Sequence, residues 1–133
     1  MYLKNCWYVA GWSKDYGRSL VAERFLGEEI VIYRRNDNMP VALENACPHR
    51  KLPLSEGKLE GDEVICGYHG LTFNCLGQCV SAPTQPDQIP RRAVVKSYPV
   101  QDRYRLLWIW MGDPELADPD LIFPGQIFNI PKK

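Results

Sequence analysis

The chain has 133 residues, of which 16 are basic and 16 acidic, so its formal net charge is zero at neutral pH. This balance argues against a protein that binds nucleic acid or an anionic membrane surface, since such proteins are typically strongly positive. No apolar run approaches the roughly 20 residues that a membrane-spanning helix needs, and residues 1–6 lack an apolar export signal. We therefore expect a cytoplasmic protein whose residues 1–133 form one domain with its own core.

Short β-branched and aromatic segments alternate with turn residues along the chain, which contains 11 prolines and 10 glycines. This pattern is typical of an all-β protein. The longer predicted strands are residues 6–11, 20–25, 29–35, 41–44, 93–100 and 105–111, and shorter ones lie near 64–65, 71–74 and 79–80. We expect the last two long strands to form a hairpin across 102–104. We expect residues 51–63 to form an exposed connection with at most one short helical turn.

Aromatic and aliphatic residues alternate in the last predicted strand. Trp108 and Trp110 alternate with Leu107 and Ile109. Because successive side chains of a strand point to opposite faces, the two indoles are predicted to share one face and the aliphatic residues the other. The pattern favours a packed core or a covered sheet over a cofactor site.

Two short motifs combine cysteine with histidine. The first is Cys47-Pro48-His49-Arg50, and the second is Cys66-Gly67-Tyr68-His69-Gly70. The only two histidines of the chain lie in these motifs, together with two of its five cysteines. Such a concentration of thiolate and imidazole groups predicts a metal site with four ligands.

Each motif offers one thiolate and one imidazole, which suits an asymmetric cluster of two irons. In a Rieske centre, two cysteines hold one iron, two histidines hold the other, and sulfides bridge the metals. A zinc site is the competing interpretation, since two cysteines and two histidines also bind zinc. Structural zinc sites usually take both cysteines from one knuckle and both histidines from one helix, so the spacing favours iron.

Three cysteines remain outside the motifs, namely Cys6, Cys75 and Cys79. An odd number fits reduced thiols better than a disulfide framework. Residues 76–78 predict a hairpin turn that would let Cys75 and Cys79 face each other. We interpret them as small packed thiols.

The motifs resemble those of the Rieske-type non-haem iron oxygenases. Residues 5–10, 27–34, 66–71 and 112–114 extend the resemblance to the N-terminal domain of vanillate O-demethylase oxygenase subunits and related aromatic-ring monooxygenases. It implies a Rieske-type antiparallel β-sandwich in which two ligand loops form a small cluster-binding subdomain, at about residues 45–84. It also implies that Cys47, His49, Cys66 and His69 bind a [2Fe-2S] cluster. Leu71 stands where many oxygenase Rieske domains carry tryptophan, which weakens the analogy to ring-hydroxylating dioxygenases.

The resemblance also implies a role in the catabolism of aromatic compounds. A flavin-type or ferredoxin-type reductase would supply electrons, and a catalytic domain with a mononuclear non-haem iron, in the same or a neighbouring subunit, would receive them. That iron needs two further histidines, and none remains in this chain. We therefore predict an oxidoreductase component that transfers electrons but has no catalytic residues of its own. The alternative is a free-standing Rieske ferredoxin that serves a separate oxygenase, although the apolar residues within 123–130 favour the first interpretation.

Overall fold

The structure is a computed structural model that describes residues 5–48, 52–67, 70–81 and 94–122. Within these ranges every strand pairs antiparallel, and the only helices are 3₁₀ helices of three residues each, none of which could cross a membrane. The strands are β1 (Cys6–Trp12), β2 (Val21–Phe25), β3 (Glu28–Arg34), β4 (Pro40–Glu44), β5 (Lys58–Glu60), β6 (Glu63–Ile65), β7 (Thr72–Phe73), β8 (Cys79–Ser81), β9 (Ser97–Tyr98), β10 (Val100–Arg103) and β11 (Leu106–Met111). The all-β prediction is confirmed.

The strands form three sheets. The outer sheet has the order β1-β11-β10, the central sheet β2-β3-β4-β9, and the small sheet β5-β6-β7-β8. One apolar cluster fills the space between the outer and central sheets, and a second lies between the central sheet and the small sheet. The central sheet is therefore covered on both faces.

Strand β3 shows how the sequence produces this layering. Its residues Ile30, Val31, Ile32 and Tyr33 are all fully buried. Ile30 and Ile32 belong to the cluster beneath the outer sheet, whereas Val31 and Tyr33 belong to the cluster beneath the small sheet. A continuous apolar run is the pattern expected of a strand with two buried faces.

The outer sheet places its tryptophans on one face, as predicted. Trp108 and Trp110 pack with Trp7 on the side away from the central sheet, while Leu107 and Ile109 face the central sheet. Residues 113–122 cover the tryptophan face. The Trp7 indole Nε1 donates to the Asp118 carbonyl oxygen at 2.8 Å, and Trp110 Nε1 donates to that of Asp113 at 2.7 Å. The indoles are thus core residues, and those of Trp7 and Trp110 bind residues 113–122 to the outer sheet.

The predicted hairpin near the C-terminal end is wrong in its first strand and its turn. Ser97–Tyr98 pairs with β4 in the central sheet, whereas Val100–Arg103 pairs with β11 in the outer sheet. Pro99 lies between them and has no N–H for a sheet ladder; its carbonyl accepts from the Trp110 N–H at 2.9 Å. The turn falls at Tyr104 and Arg105, whose φ angles are 57° and 65°. The chain therefore changes sheets at the proline.

A buried arginine joins the central and outer sheets. Arg34 is only 4% exposed, and its guanidinium forms a two-pronged pair with Asp102 at 2.7 and 2.9 Å. It also donates to the carbonyl oxygens of Ser13, Tyr16 and Asn38. Hydrogen bonding to Arg34 holds the pKa of the Asp102 carboxyl below its usual range, against the opposing effect of its partial burial.

Candidate metal centre

The two motif cysteines each begin a loop whose ends are joined by one backbone hydrogen bond. Cys47 follows β4, and its N–H donates to the Leu52 carbonyl oxygen at 2.8 Å. Cys66 follows β6, and its N–H donates to the Leu71 carbonyl oxygen at 2.7 Å. Each loop is therefore closed between its cysteine and the fifth residue after it, and each predicted histidine falls inside its loop in sequence.

Both cysteines lie in one apolar environment. Cys47 is 1% and Cys66 2% exposed, and both belong to the cluster between the central and small sheets, beside Leu54, Leu71 and Phe73. A buried thiolate loses its hydration at a large cost in free energy, whereas coordination to a metal stabilises the deprotonated form. Two buried thiols at the ends of matching loops therefore fit a bridged iron–sulfur cluster.

The two predicted histidine ligands, His49 and His69, lie outside the described residues, as do Arg50 and Tyr68. Among the residues that the structure does describe, no group of three or more His, Cys, Asp or Glu side chains could hold a metal ion. This result follows from the position of the histidines, since the described part of the site contains only its two cysteines. The assignment of His49 and His69 stays a prediction.

The second loop closes through a glycine. Gly70 has a φ of +69°, a left-handed conformation that side chains disfavour. The neighbouring Thr72 hydroxyl donates to the Gly70 carbonyl oxygen at 3.3 Å. Gly70 thus turns the chain just before it enters β7.

The connection between the loops differs from its prediction. It contains the expected single helical turn, Leu54–Glu56, but also the strand Lys58–Glu60, and Leu54 is fully buried in the same cluster as both cysteines. The other described residues of this connection are exposed or half-buried, as expected, so the prediction missed only the strand and the one core residue. The alternation of Lys58, Leu59 and Glu60 was the available sign of a half-buried strand.

The far end of the small sheet is tied to the end of β3. The Tyr33 hydroxyl donates to the Asp62 carbonyl oxygen at 3.1 Å, and the Asn36 N–H donates to the Asp62 carboxylate at 2.7 Å. Arg18 bridges the same region by donating to the carbonyl oxygens of Gly61 and Arg34. Burial, more than the nearby Cys75 and Asp62, raises the pKa of Tyr33, so this phenol stays protonated and available as a donor at neutral pH.

Cys75 and Cys79 do not occupy opposite positions of the β7–β8 ladder. Cys79 is paired with Phe73, and Cys75 lies in the turn. The side chain of Asn74 accounts for the difference, since its Oδ1 accepts from the N–H groups of Leu76 and Gln78 and so closes the hairpin one residue earlier. Both cysteines remain thiols packed against the apolar cluster, as expected.

Known proteins resemble this chain over most of its length. Residues 6–99 match the family model for the Rieske [2Fe-2S] domain. The chain is 50% identical over 121 residues to the iron-sulfur subunit of the toluene-4-sulfonate monooxygenase system of Comamonas testosteroni, a match that covers 90% of this chain and 35% of the relative. It is 41% identical over 122 residues to the vanillate O-demethylase oxygenase subunit of Pseudomonas sp. (strain HR199 / DSM 7063), covering 92% of this chain and 34% of the relative.

A solved structure shows the same fold. Dicamba monooxygenase with non-heme iron and dicamba superposes with a TM-score of 0.85 at 41% identity, covering 90% of this chain and 36% of the other. The chain thus spans about a third of the length of the relatives that it matches. The matched fold, the paired cysteine loops and the family model lead to one conclusion: the chain belongs to the Rieske [2Fe-2S] domain family, in the group of the Rieske-type oxygenase components, and its cofactor is a [2Fe-2S] cluster.

Proposed function

We propose that Cys47 and Cys66 hold one iron of the cluster and that His49 and His69 hold the other, with residues of about 45–84 forming the cluster-binding subdomain. The observation that carries this proposal is the burial of Cys47 and Cys66, 1% and 2% exposed, in one apolar cluster at the start of two loops closed in the same way. Each histidine lies within one of these loops in sequence.

The residues around the site have defined roles in this proposal. When bound, a Rieske cluster supplies one-electron transfer. The apolar cluster around Cys47 and Cys66, which includes Leu54 and Leu71, keeps water from the thiolates. The loop-closing hydrogen bonds of the two cysteine N–H groups hold the thiolates in place in both the oxidised and the reduced state of the cluster.

The whole protein, in this proposal, is the oxygenase component of an aromatic-ring monooxygenase or O-demethylase. The chain receives single electrons from a flavin-type or ferredoxin-type reductase and delivers them to a mononuclear non-haem iron in a catalytic domain of the same or a neighbouring subunit. The named relatives act on toluene-4-sulfonate, vanillate and dicamba, as their names state. These names support a small substituted aromatic compound as the class of substrate, and a cytoplasmic location is proposed with it.

The first experiment measures the metal and the ligands. We expect the purified chain to contain two irons and two acid-labile sulfides and to give a Rieske-type EPR signal after reduction. His49→Ala and His69→Ala should each abolish that signal. Cys75→Ser is the matched control, because Cys75 packs beside the same apolar cluster but lies outside the proposed ligand set. Zinc in place of iron, or a normal signal in both histidine variants, would contradict the assignment.

The second experiment separates electron transfer from oxygenation. The chain is mixed with a ferredoxin-type reductase, NADH, oxygen and a methoxylated benzoate. We expect the cluster to be reduced without formation of a demethylated product, because both histidines of the chain are already assigned and the mononuclear iron requires two others. Product formation by these 133 residues alone would overturn this part of the proposal.

A further inference from the structure

The short helix Leu54–Glu56 lies between the two cysteine loops and contacts both. Pro53 precedes it and provides no side-chain cap. The cap comes instead from Asn45, two residues before Cys47, whose Oδ1 accepts from the Ser55 N–H at 2.8 Å. The Asn45 Nδ2 also donates to the Ser55 hydroxyl at 3.0 Å.

This two-point contact fixes the helix to the first cysteine loop. Asn45 is only 6% exposed, and its own N–H donates to the Glu29 carbonyl oxygen of β3 at 2.9 Å. The backbone of Asn45 is therefore bonded to the central sheet, and both ends of its side-chain amide are bonded to Ser55. A buried amide with both ends bonded positions its neighbours more firmly than an apolar contact does.

The other end of the helix presses against the second cysteine loop. The Gly57 N–H donates to the Leu54 carbonyl oxygen at 2.9 Å, which ends the helix. A Cβ added to Gly57 would lie 2.0 Å from the Ile65 carbonyl oxygen and 3.2 Å from the Gly67 nitrogen, the residues on either side of Cys66. Only glycine permits this approach of the two backbones.

Leu54 connects these two contacts through the core. It is fully buried in the apolar cluster that contains both Cys47 and Cys66. We propose that the helix Leu54–Glu56 is a spacer that sets the separation of the two cysteine loops, with Asn45 and Gly57 as the positioning residues at its two ends. The spacer rests on the proposed function, since the separation matters only if both loops hold the cluster.

A role in positioning is distinguishable from a role in folding alone. A residue that only stabilises the fold lowers the resistance of the chain to urea and leaves the cluster of the folded fraction unchanged. A positioning residue alters the cluster itself, namely its iron content, its rate of iron loss to a chelator and the g values of its EPR spectrum. Loss of a group that orients metal ligands typically weakens metal binding by about 10- to 100-fold.

The first test is Gly57→Ala. The added methyl group meets backbone atoms of the second loop, so either the helix or residues 65–67 must move. We expect iron loss to a chelator to become about tenfold faster or more, with shifted g values. Gly61→Ala is the matched control, because Gly61 belongs to the same connection but an added Cβ there has no atom within 4 Å. Because Gly61 has a left-handed φ of +61°, alanine at this position should lower the stability of the chain without creating a new contact.

The second test uses the other end of the spacer, in case Gly57→Ala does not fold. Asn45→Ala removes both contacts to Ser55, whereas Ser55→Ala keeps the bond from the Ser55 N–H to Asn45 Oδ1. We expect faster iron loss and shifted g values in Asn45→Ala and a smaller effect in Ser55→Ala. Asn74→Ala is the control, because Asn74 also caps a turn of the small sheet, but its side chain bonds Leu76 and Gln78 within that turn.

The outcomes distinguish the spacer from the proposed function. If the unaltered chain shows no Rieske-type signal, the proposed function fails. If the unaltered chain shows the signal and Asn45→Ala retains its g values and its rate of iron loss, as does Gly57→Ala where it folds, the spacer is overturned while the proposed function stands. The spacer is also overturned if Gly61→Ala or Asn74→Ala changes the cluster as much as the spacer variants do.

Discussion

The outer sheet and the small sheet are organised by different forces. Two outer strands, Cys6–Trp12 and Leu106–Met111, have seven and six residues, and most of their large side chains are almost completely buried, with Trp12 as the exposed exception. The strands of the small sheet have only two or three residues. Side-chain hydrogen bonds of Asn45 and Asn74 close the short helix and the turn beside these strands, whose Val64 and Phe73 are also fully buried.

This difference indicates a division of tasks within the domain. Apolar burial supplies most of the free energy of folding but fixes positions only through packing. Hydrogen bonds contribute less net free energy, but they hold particular atoms at particular distances. We therefore expect the outer and central sheets to supply most of the free energy of folding, and the hydrogen bonds beside the cysteines to fix the positions of the two cysteine loops. Substitutions in the two regions should have different consequences.

The largest expected effect is a loss of stability in Trp7→Ala. Trp7 is 1% exposed, packs edge-on against Trp110 with ring centroids 5.4 Å apart, and bonds Asp118. Truncation of such a residue costs about 3–5 kcal/mol. Urea unfolding of the cluster-loaded chain should show this loss, while the EPR spectrum of the folded protein stays unchanged. Trp12→Ala, on the same strand but 57% exposed, should change stability by less than about 0.5 kcal/mol. Equal effects of the two variants would contradict the division.

A slightly smaller loss is expected for Arg34→Met. Methionine fills much of the space but removes the hydrogen bonds that Arg34 donates to the carbonyl oxygens of Ser13, Tyr16 and Asn38. Removal of one partner from a buried pair costs about 3–5 kcal/mol, and the partial exposure of Asp102 places this case near the lower end. The control is Arg24→Met, because the Arg24–Glu29 pair is exposed and such pairs contribute less than about 1 kcal/mol. A loss below about 1 kcal/mol in Arg34→Met would show that this contact does not join the sheets.

The contribution of Asp102 should depend on pH. Its pKa is lowered in the folded chain, chiefly by the hydrogen bond from Arg34. The resulting stabilisation is fully present above the ordinary aspartate pKa of about 4 and is lost as the pH falls through the lower folded value. We expect the stability difference between the unaltered chain and Asp102→Asn to be largest near neutral pH and to shrink below about pH 4. Urea titrations at several pH values measure this stability difference. A difference that grows in acid would contradict a lowered pKa of Asp102 in the folded chain.

The sequence predicted the features that repeat along a strand or within a motif. The alternation of Trp108 and Trp110 with Leu107 and Ile109 correctly predicted two faces of one strand, because a pleated strand has a period of two. The cysteine–histidine motifs correctly predicted the [2Fe-2S] cofactor because each motif offers one thiolate and one imidazole. Both predictions depend on local spacing alone.

The features that escaped prediction depend on contacts between distant segments. The capping of Ser55 by Asn45 and the approach of Gly57 to Ile65 exist only after β4 and β6 are in place. Asparagine and glycine are also common in ordinary turns, so neither residue signals such a role by itself. Pro99 was a readable signal, since a proline in a predicted strand indicates an interruption.

The smallest expected effect concerns local opening of the small sheet. Asn74 closes the β7–β8 hairpin by accepting two N–H groups at 2.9 and 3.0 Å, so Asn74→Ala should lower the free energy of opening there by about 1 kcal/mol. Short strands open in local fluctuations that leave the outer sheet folded. Trp7→Ala should therefore leave exchange in residues 72–81 unchanged while it speeds exchange in β11.

Gln78→Ala, which removes one exposed hydrogen bond to Asn74, serves as the control for Asn74→Ala. Hydrogen–deuterium exchange of the cluster-loaded chain, read by mass spectrometry, measures each segment. If Trp7→Ala speeds exchange equally in both segments, the two sheets unfold as one unit and the proposed division fails.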